Sequence, residues 1–337
     1  MKIIVDCFGG DNCPQAPVEG AILALNESKN LVVALCGDED KIKAELAKYQ
    51  YDKNRVEIIN AKDVITNDDN PVMAIRRKTD SSMVVALKTL AKAEGYDGVV
   101  SSGNTGSLLT GATLIVKLLD GVTRATLSPL LPTVDEGKYT ILCDAGANVD
   151  CKPQMLEEFA VMGSVYMKNV FGIENPTVAL LNNGSEEEKG NSLNKEAYQL
   201  LKNNSKINFV GNVEGEDFVA GKVDVIVTDG FAGNVALKTT EGAAKSLFKM
   251  IKTEILAGGF KAKIGYLLLK SALKKVKNRL STDEVGGAVF LGAKKVVVKA
   301  HGSSTALPFK ATILQAEKMV QTNVLGLIEE GLKKIDG

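Results

Sequence analysis

The stretch VVSSGNTGSLLTGA (Val99–Ala112) runs from an apolar strand pattern through small polar residues into an apolar helix pattern. A plain turn into a helix needs one glycine and one capping side chain, and this stretch offers many more polar groups. Backbone N–H groups, hydroxyls and amides gathered at a helix start are typical of an anion site. We predict a phosphate site here, and a simple helix N-cap is the structural alternative. The predicted phosphate-binding residues are Ser101, Ser102, Gly103, Asn104 and Thr105.

The rest of the chain repeats this alternation of strand and helix patterns. Apolar runs of about five to eight residues are separated by helical patterns, and the runs are apolar throughout. Such strands indicate a mostly parallel sheet that helices cover on both faces. We therefore predict a three-layer α/β/α fold in a single catalytic domain, residues 1–337. The sequence leaves a division into two lobes open.

Composition excludes several classes of protein. Among 337 residues, 41 basic side chains balance 41 acidic ones and tryptophan is absent, so nothing indicates a nucleic-acid partner. The cysteines are odd in number and include no C-x-x-C pair, which predicts reduced thiols in a cytoplasmic protein. The start MKIIVD is not typical of a signal peptide, and no apolar run approaches the ~18 residues of a membrane span.

Six loops that follow predicted strands share a high content of Gly, Asn, Asp and Ser. Ligands bind beyond the carboxyl ends of parallel strands, so we predict the active cleft at this edge. The loops are DCFGGDNCP, SSGNTG, DAGANVD, NNGSEEEKGN, DGFAGN and AHGSS. The predicted catalytic residues are Asn182, Lys189, Asp229, Asn234 and Lys238. Further predicted cleft residues are Asp11, Asn12, Asp144, Asn148, Asn191, Phe231 and His301.

Each of these residues also has a structural interpretation. Asn234 could be a helix cap, and Lys238, one turn later on the same helix face, a solvated charge. His301 is the single histidine, so it cannot build a metal cluster, and we predict no metal site. A serine nucleophile activated by it, Ser303 or Ser304, is expected to be sterically awkward. The G-x-G-x-x-G and P-loop patterns are absent.

The segment 255–282 has a different character. It carries seven basic residues and no acidic one, with apolar residues mostly at three- to four-residue steps. This pattern predicts a basic amphipathic helix, or two helices broken near Gly265, lying on an anionic membrane surface. Packing against a second subunit is the alternative, and both can hold. The apolar positions are Phe260, Ile264, Leu268, Leu269, Leu273 and Val276.

The quoted loops, with FAVMGSVY and GGAVFLG between them, resemble in their order the bacterial phosphate acyltransferases of the PlsX family. The resemblance covers nearly the whole chain. It implies a Rossmann-like fold similar to isopropylmalate dehydrogenases and phosphate acetyltransferases. It also implies reversible transfer of a long-chain fatty acyl group from acyl carrier protein to inorganic phosphate, giving an acyl phosphate for phospholipid synthesis. A homodimer, peripheral membrane association and a membrane-bound glycerol-3-phosphate acyltransferase as partner are implied as well.

This chemistry assigns roles to the predicted residues. The Ser101–Thr105 loop would hold phosphate, and Lys189 or Lys238 would balance its charge. Asn182, Asn234 or backbone N–H groups would stabilise the oxyanion. Asp229 would orient a lysine or accept the phosphate proton. We expect no covalent acyl-enzyme, no metal and no cofactor.

Two other functions fit part of the pattern. A nicotinamide-dependent dehydrogenase of related fold is one, although the dinucleotide fingerprint is absent. A non-catalytic membrane-surface scaffold resting on segment 255–282 is the other, but it leaves the six polar loops without a role.

Overall fold

The computed structural model describes residues 1–279 and 285–333. The described residues form twelve strands, most of them short and buried. The strands are β1 (Lys2–Asp6), β2 (Val32–Gly37), β3 (Val56–Asn60), β4 (Gly98–Ser101), β5 (Thr126–Ser128), β6 (Leu130–Pro132), β7 (Tyr139–Cys143), β8 (Thr177–Leu181), β9 (Asn208–Val213), β10 (Val225–Val227), β11 (Ala288–Leu291) and β12 (Val296–Lys299).

Helices connect these strands and cover the sheets. They are α1 (Gln15–Glu27), α2 (Glu39–Leu46), α3 (Pro71–Arg77), α4 (Ser82–Lys92), α5 (Thr105–Gly111), α6 (Pro153–Phe171), α7 (Ser192–Asn203), α8 (Gly230–Ala257), α9 (Gly259–Arg279), α10 (Ala306–Gln321) and α11 (Val324–Leu332). A π-helical turn over Ala112–Val116 continues α5.

The strands are divided between two sheets. The first has the order β3-β2-β1-β4-β12-β11-β5, and the second has the order β6-β7-β10-β8-β9. Pairing is parallel except where β11 meets β12 and β5, and where β6 meets β7. The predicted α/β class with mostly parallel strands is confirmed. The single domain over residues 1–337 stays a prediction.

The chain passes between the two sheets at Pro129. β5 and β6 have three residues each, and Pro129 separates them. Runs this short carry no readable period, which is why the sequence pattern did not reveal them. One hydrophobic core contains buried residues of both sheets, among them Val5, Val100, Ile141 and Val225, with Phe159 of α6. This shared core brings the carboxyl ends of β4, β12 and β7 to one region.

The C-terminal part of the chain differs from its sequence pattern. The apolar periodicity of residues 311–334 predicts a single helix, whereas the described residues form two helices, α10 and α11. Lys334 lies outside the described residues. Asn323 separates the two helices with φ of 49°, a left-handed conformation that asparagine tolerates better than most residues.

The segment 255–282 is helical as predicted, as far as its described residues extend. α9 runs through Gly265 without a break, so the alternative of two helices broken there is wrong. The interruption lies at Gly258, between α8 and α9, and φ of Gly259 at the start of α9 is 67°. Phe260 and Leu268 are each 80% exposed. Residues 280–282 lie outside the described residues. Among the helices that the structure describes, none combines the length and apolarity of a membrane span.

Candidate active site

A cleft of about 460 Å³ lies at the carboxyl ends of β4, β7 and β12. Its lining combines polar and apolar residues. The polar side chains are those of Thr105, Asn234, Lys238, Glu241, Lys299 and His301. Apolar surface comes from Leu109, Leu127, Pro129, Leu130, Leu237 and Ala288. The cleft therefore suits a ligand with a charged end and an apolar body.

The side chains of Ser101 and Asn104 make hydrogen bonds that hold the Ser101–Thr105 loop in place. The Ser101 hydroxyl donates to the Asp6 carboxylate at 2.6 Å and accepts from the N–H of Gly103 at 3.0 Å. Asn104 caps α5, because its side-chain oxygen accepts from the N–H of Ser107 at 2.9 Å. Ser102 is buried. Thr105 is exposed and lines the cleft, so it is the loop hydroxyl best placed for a ligand.

The N-terminal part of α8 brings two predicted residues, Asn234 and Lys238, into the cleft. Asp229 caps this helix by accepting from the N–H of Ala232 at 2.9 Å, so the alternative of Asn234 as the cap is wrong. The Asn234 amide makes no hydrogen bond to any residue that the structure describes. Lys238 follows one turn later and donates to Glu241 at 2.9 Å. Both ends of that ion pair are solvated enough for the pair to exchange with a ligand.

The loop after β7 is organised by the buried carboxylate of Asp144. It accepts from the N–H groups of Leu127 at 2.9 Å, Ala147 at 3.2 Å and Asn148 at 2.6 Å. Burial raises the pKa of the Asp144 carboxyl, and these donors oppose that effect. The Asn148 amide also donates to the Ala125 carbonyl at 2.8 Å. Asp144 and Asn148 shape the cleft wall rather than offering free groups to a ligand.

Gly233 is required where α8 passes this loop. A Cβ atom at Gly233 would overlap the carbonyl oxygen of Asp144, whereas Gly242 in the same helix has open space. We expect Gly233→Ala to lower the free energy of unfolding by about 1–3 kcal/mol. The control, Gly242→Ala, is expected to raise it by up to about 1 kcal/mol, because alanine is the better helix former. Urea unfolding measures both, and equal effects in the two variants would contradict the packing at Gly233.

The first and last loops of the first sheet meet beside the cleft. The Asn12 amide donates to the carbonyl oxygens of Ser303 at 3.1 Å and Ser304 at 3.2 Å. His301 lines the cleft, and desolvation, with the Lys299 charge, lowers the pKa of its imidazole. Its Nδ1 lies 2.9 Å from the Ser303 hydroxyl, so the expectation that this contact is sterically awkward is wrong. Asp11 is joined to the same loop by a hydrogen bond from its N–H to the Gly302 carbonyl at 2.9 Å.

A second group of predicted residues does not line this cleft. The Lys189 side chain is 45% exposed, and its ammonium lies 4.0 Å from Glu186. The Asn182 amide donates to the Lys189 carbonyl at 3.2 Å, and Asn191 caps α7. Phe231 is 63% exposed at the start of α8. Direct roles for these four residues stay predictions.

Lys299 is a charged cleft residue that the sequence interpretation missed, as it missed Glu241. Lys299 ends β12 beside Ser101, is 9% exposed, and donates to the Ser102 carbonyl at 3.1 Å and to the Ala300 carbonyl. Burial lowers the pKa of its ammonium to about 8, partly opposed by the charges of Asp6 and Asp11. A lysine that closes the apolar run VVVK, directly before a polar loop, was the available signal.

No group of three or more His, Cys, Asp or Glu side chains that could hold a metal ion occurs among residues 1–279 and 285–333.

Known proteins of similar structure establish the fold. A phosphotransacetylase from Streptococcus pyogenes is 18% identical and superposes with a TM-score of 0.61, covering 95% of this chain and 94% of that one. A branched-chain phosphotransacylase from Enterococcus faecalis V583 is 13% identical with a TM-score of 0.57, covering 95% of this chain and 99% of that one.

Proteins of similar sequence establish the family. The fatty acid synthesis protein family matches residues 1–326. A phosphate acyltransferase of Clostridium botulinum is 49% identical over 99% of both chains. One from Clostridium acetobutylicum is 47% identical over 100% of both. The chain therefore belongs to the phosphate acyltransferase (PlsX) family, as its loops predicted.

Proposed function

We propose that the chain transfers a long-chain fatty acyl group reversibly from the thioester of acyl carrier protein to inorganic phosphate in this cleft. The observation that carries the proposal is the presence of cationic, hydrogen-bonding and apolar side chains in the lining of one cleft. An acyl phosphate requires all three, because it has an anionic head and an apolar chain. The family to which the chain belongs supports the choice of phosphate as acceptor.

The acceptor needs positioning more than activation. Phosphate is already an oxygen nucleophile near neutral pH, and a thiolate with a pKa of about 8.5 leaves without strong acid help. The Thr105 hydroxyl and the neighbouring loop would orient phosphate, and Lys238 would balance its charge once it exchanges its contact with Glu241. Holding both reactants in one cleft replaces a bimolecular encounter by a local step.

The transfer requires no covalent acyl-enzyme. A phosphate oxygen forms a bond to the thioester carbonyl carbon, and the carbonyl oxygen takes up negative charge. The Asn234 amide, which is without a partner among the described residues, would donate to that oxyanion. When the tetrahedral intermediate collapses, the carbon–sulfur bond breaks and the carrier thiolate leaves. Acyl phosphate remains in the cleft.

The apolar residues of the cleft would receive the acyl chain. Leu109, Leu127, Leu130 and Leu237 supply aliphatic surface. Each methylene that leaves water contributes about 0.8 kcal/mol to binding. Contact with these residues would therefore favour long chains over acetyl groups.

α9 supports the proposed membrane and subunit contacts. Successive residues of a helix point about 100° apart, and Leu267, Leu268 and Leu269 are 68%, 80% and 58% exposed. Their apolar surface therefore faces more than one side of the helix. We propose that one side rests on the cytoplasmic membrane surface and another on a second copy of the chain, as in a homodimer. The product would then pass to a membrane-bound glycerol-3-phosphate acyltransferase without crossing water.

The experiment mixes purified protein with palmitoyl-acyl carrier protein, with and without phosphate, and traps acyl phosphate as its hydroxamate. We expect hydroxamate that depends on phosphate, and faster formation from the carrier thioester than from palmitoyl-coenzyme A. A folded protein that gives no hydroxamate would overturn the proposal. Reduction of added NAD by the same protein would instead support the dehydrogenase alternative.

A further inference from the structure

Lys299 is a buried cation that has no carboxylate partner among residues 1–279 and 285–333. An ammonium group has three N–H donors. Two of them go to the main-chain carbonyls of Ser102 and Ala300, which carry no net charge. No third acceptor is present among the residues that the structure describes. A buried charge is costly unless an opposite charge or a full set of hydrogen bonds compensates for it, so this site is incomplete as it stands.

The charged residues around Lys299 do not supply its missing partner. Asp6 and Lys299 flank Ser101 at matching positions of β1, β4 and β12. The Asp6 carboxylate is occupied by the Ser101 hydroxyl at 2.6 Å and the N–H of Phe8 at 3.2 Å. Asp11 acts on Lys299 only at longer range, without an ion pair. His301, the other titratable neighbour, would add positive charge rather than remove it.

Lys299 also lies on the surface that a ligand would meet. It lines the same cleft as Thr105 and Asn234, although its side chain is almost entirely buried. The carbonyl of Ser102 that it binds belongs to the predicted phosphate loop. A dianion in the cleft would supply both the missing acceptor and the missing negative charge.

We propose that Lys299 binds phosphate directly, holding the acceptor beside Thr105 through its remaining N–H, an assignment that rests on the proposed function. Lys299 is then a phosphate-binding cation, and bound phosphate supplies its third hydrogen-bond acceptor and its opposite charge. Lys238, in contrast, is solvated and already paired with Glu241. If Lys299 were purely structural, it would hold Ser102 and Ala300 in place, and its replacement would not specifically change the KM for phosphate.

The test compares Lys299→Met with Lys295→Met. Methionine keeps the length and apolar stem of Lys299 but removes its charge, and Lys295 is an exposed lysine at the other end of the same strand region. Loss of a charge-assisted hydrogen bond predicts a KM for phosphate raised by about tenfold to a hundredfold in Lys299→Met. The KM for the acyl donor should change by less than about twofold. Lys295→Met should match wild type in both.

The pH dependence of anion binding separates a binding role from a structural one. Because burial lowers the pKa of the Lys299 ammonium to about 8, the wild-type affinity for anions should fall as pH rises through that value. Sulfate is a better probe than phosphate, because the charge of sulfate stays constant from about pH 7 to 10, a range that includes the pKa of Lys299. The lowered pKa of His301 keeps its imidazole neutral over this range. Calorimetric titration with sulfate and phosphate measures affinity without turnover.

Two results would overturn the inference. One is a phosphate KM of Lys299→Met within about twofold of wild type, or one that rises only in parallel with the acyl-donor KM and a lower melting temperature. The other is a wild-type sulfate affinity that does not vary between pH 7 and 10, which decides the question even if the variant does not fold. Absence of turnover in a wild type that binds anions in this manner would count against the proposed function and not against Lys299.

Discussion

The Asn234→Ala variant is expected to lose about a hundredfold to a thousandfold in kcat, the usual cost of removing one oxyanion donor. The Asn234 amide lines the cleft, and its donors are free of hydrogen bonds to the described residues. The removed interaction forms only as charge develops on the carbonyl oxygen. The KM values for phosphate and acyl donor should therefore stay close to those of wild type.

The thermal stability of the Asn234→Ala variant shows whether a loss of kcat comes from the site or from unfolding. Because Asp229 and not Asn234 caps α8, the alanine variant should melt within a few degrees of wild type. Thr239→Ala, at an exposed position of the same helix, should leave both kcat and melting unchanged. A kcat for Asn234→Ala within about threefold of wild type would remove Asn234 from the oxyanion site and would favour backbone N–H groups or Asn182.

The second large effect is expected at the membrane. Replacing Leu267 and Leu268 together by Asp should weaken binding to anionic phospholipid vesicles by about a hundredfold or more. Each exposed leucine contributes about 1.5–3 kcal/mol when its side chain leaves water, and each aspartate adds repulsion from the anionic surface. Vesicle sedimentation measures the loss, and hydroxamate formation from soluble substrate measures the catalytic activity that remains.

A matched variant separates apolar contact from charge. Ser271→Asp with Ala272→Asp changes the charge of α9 equally and leaves the leucines in place, since both positions are exposed. It should lose only the salt-dependent part of binding. Unchanged vesicle binding in the leucine variant would contradict membrane contact through α9. Loss of soluble activity together with the dimer would assign the exposed leucines to the subunit interface instead.

The α/β fold with mostly parallel strands could be predicted from the sequence, because fully buried parallel strands have a strong apolar pattern. The central residues of β1, β4 and β8 are apolar, and each strand is followed by a loop with more polar residues than a turn requires. The division of the strands between two sheets could not be predicted from the sequence pattern. It depends on β5 and β6, which are too short for a period, and on contacts between residues far apart in the chain.

The candidate site was predictable in its loops and less so in its side chains. Thr105, Asn234 and Lys238 meet in the cleft because strand ends converge there, a consequence of topology. Lys189 follows a strand end equally well, yet it does not line the cleft. Lys299 was overlooked because a lysine closing an apolar strand looks like a solvated end. Only the packing around β12 shows that its ammonium is buried.

A crystal structure of the protein with a long-chain alkyl phosphonate, a stable analogue of the acyl phosphate, would show where phosphate binds. We expect the phosphonate oxygens within about 2.7–3.2 Å of the Thr105 hydroxyl and the Lys299 ammonium, with the alkyl chain against Leu127 and Leu130. A phosphonate bound beside Lys189, outside the cleft, would rule out phosphate binding at Thr105 and Lys299.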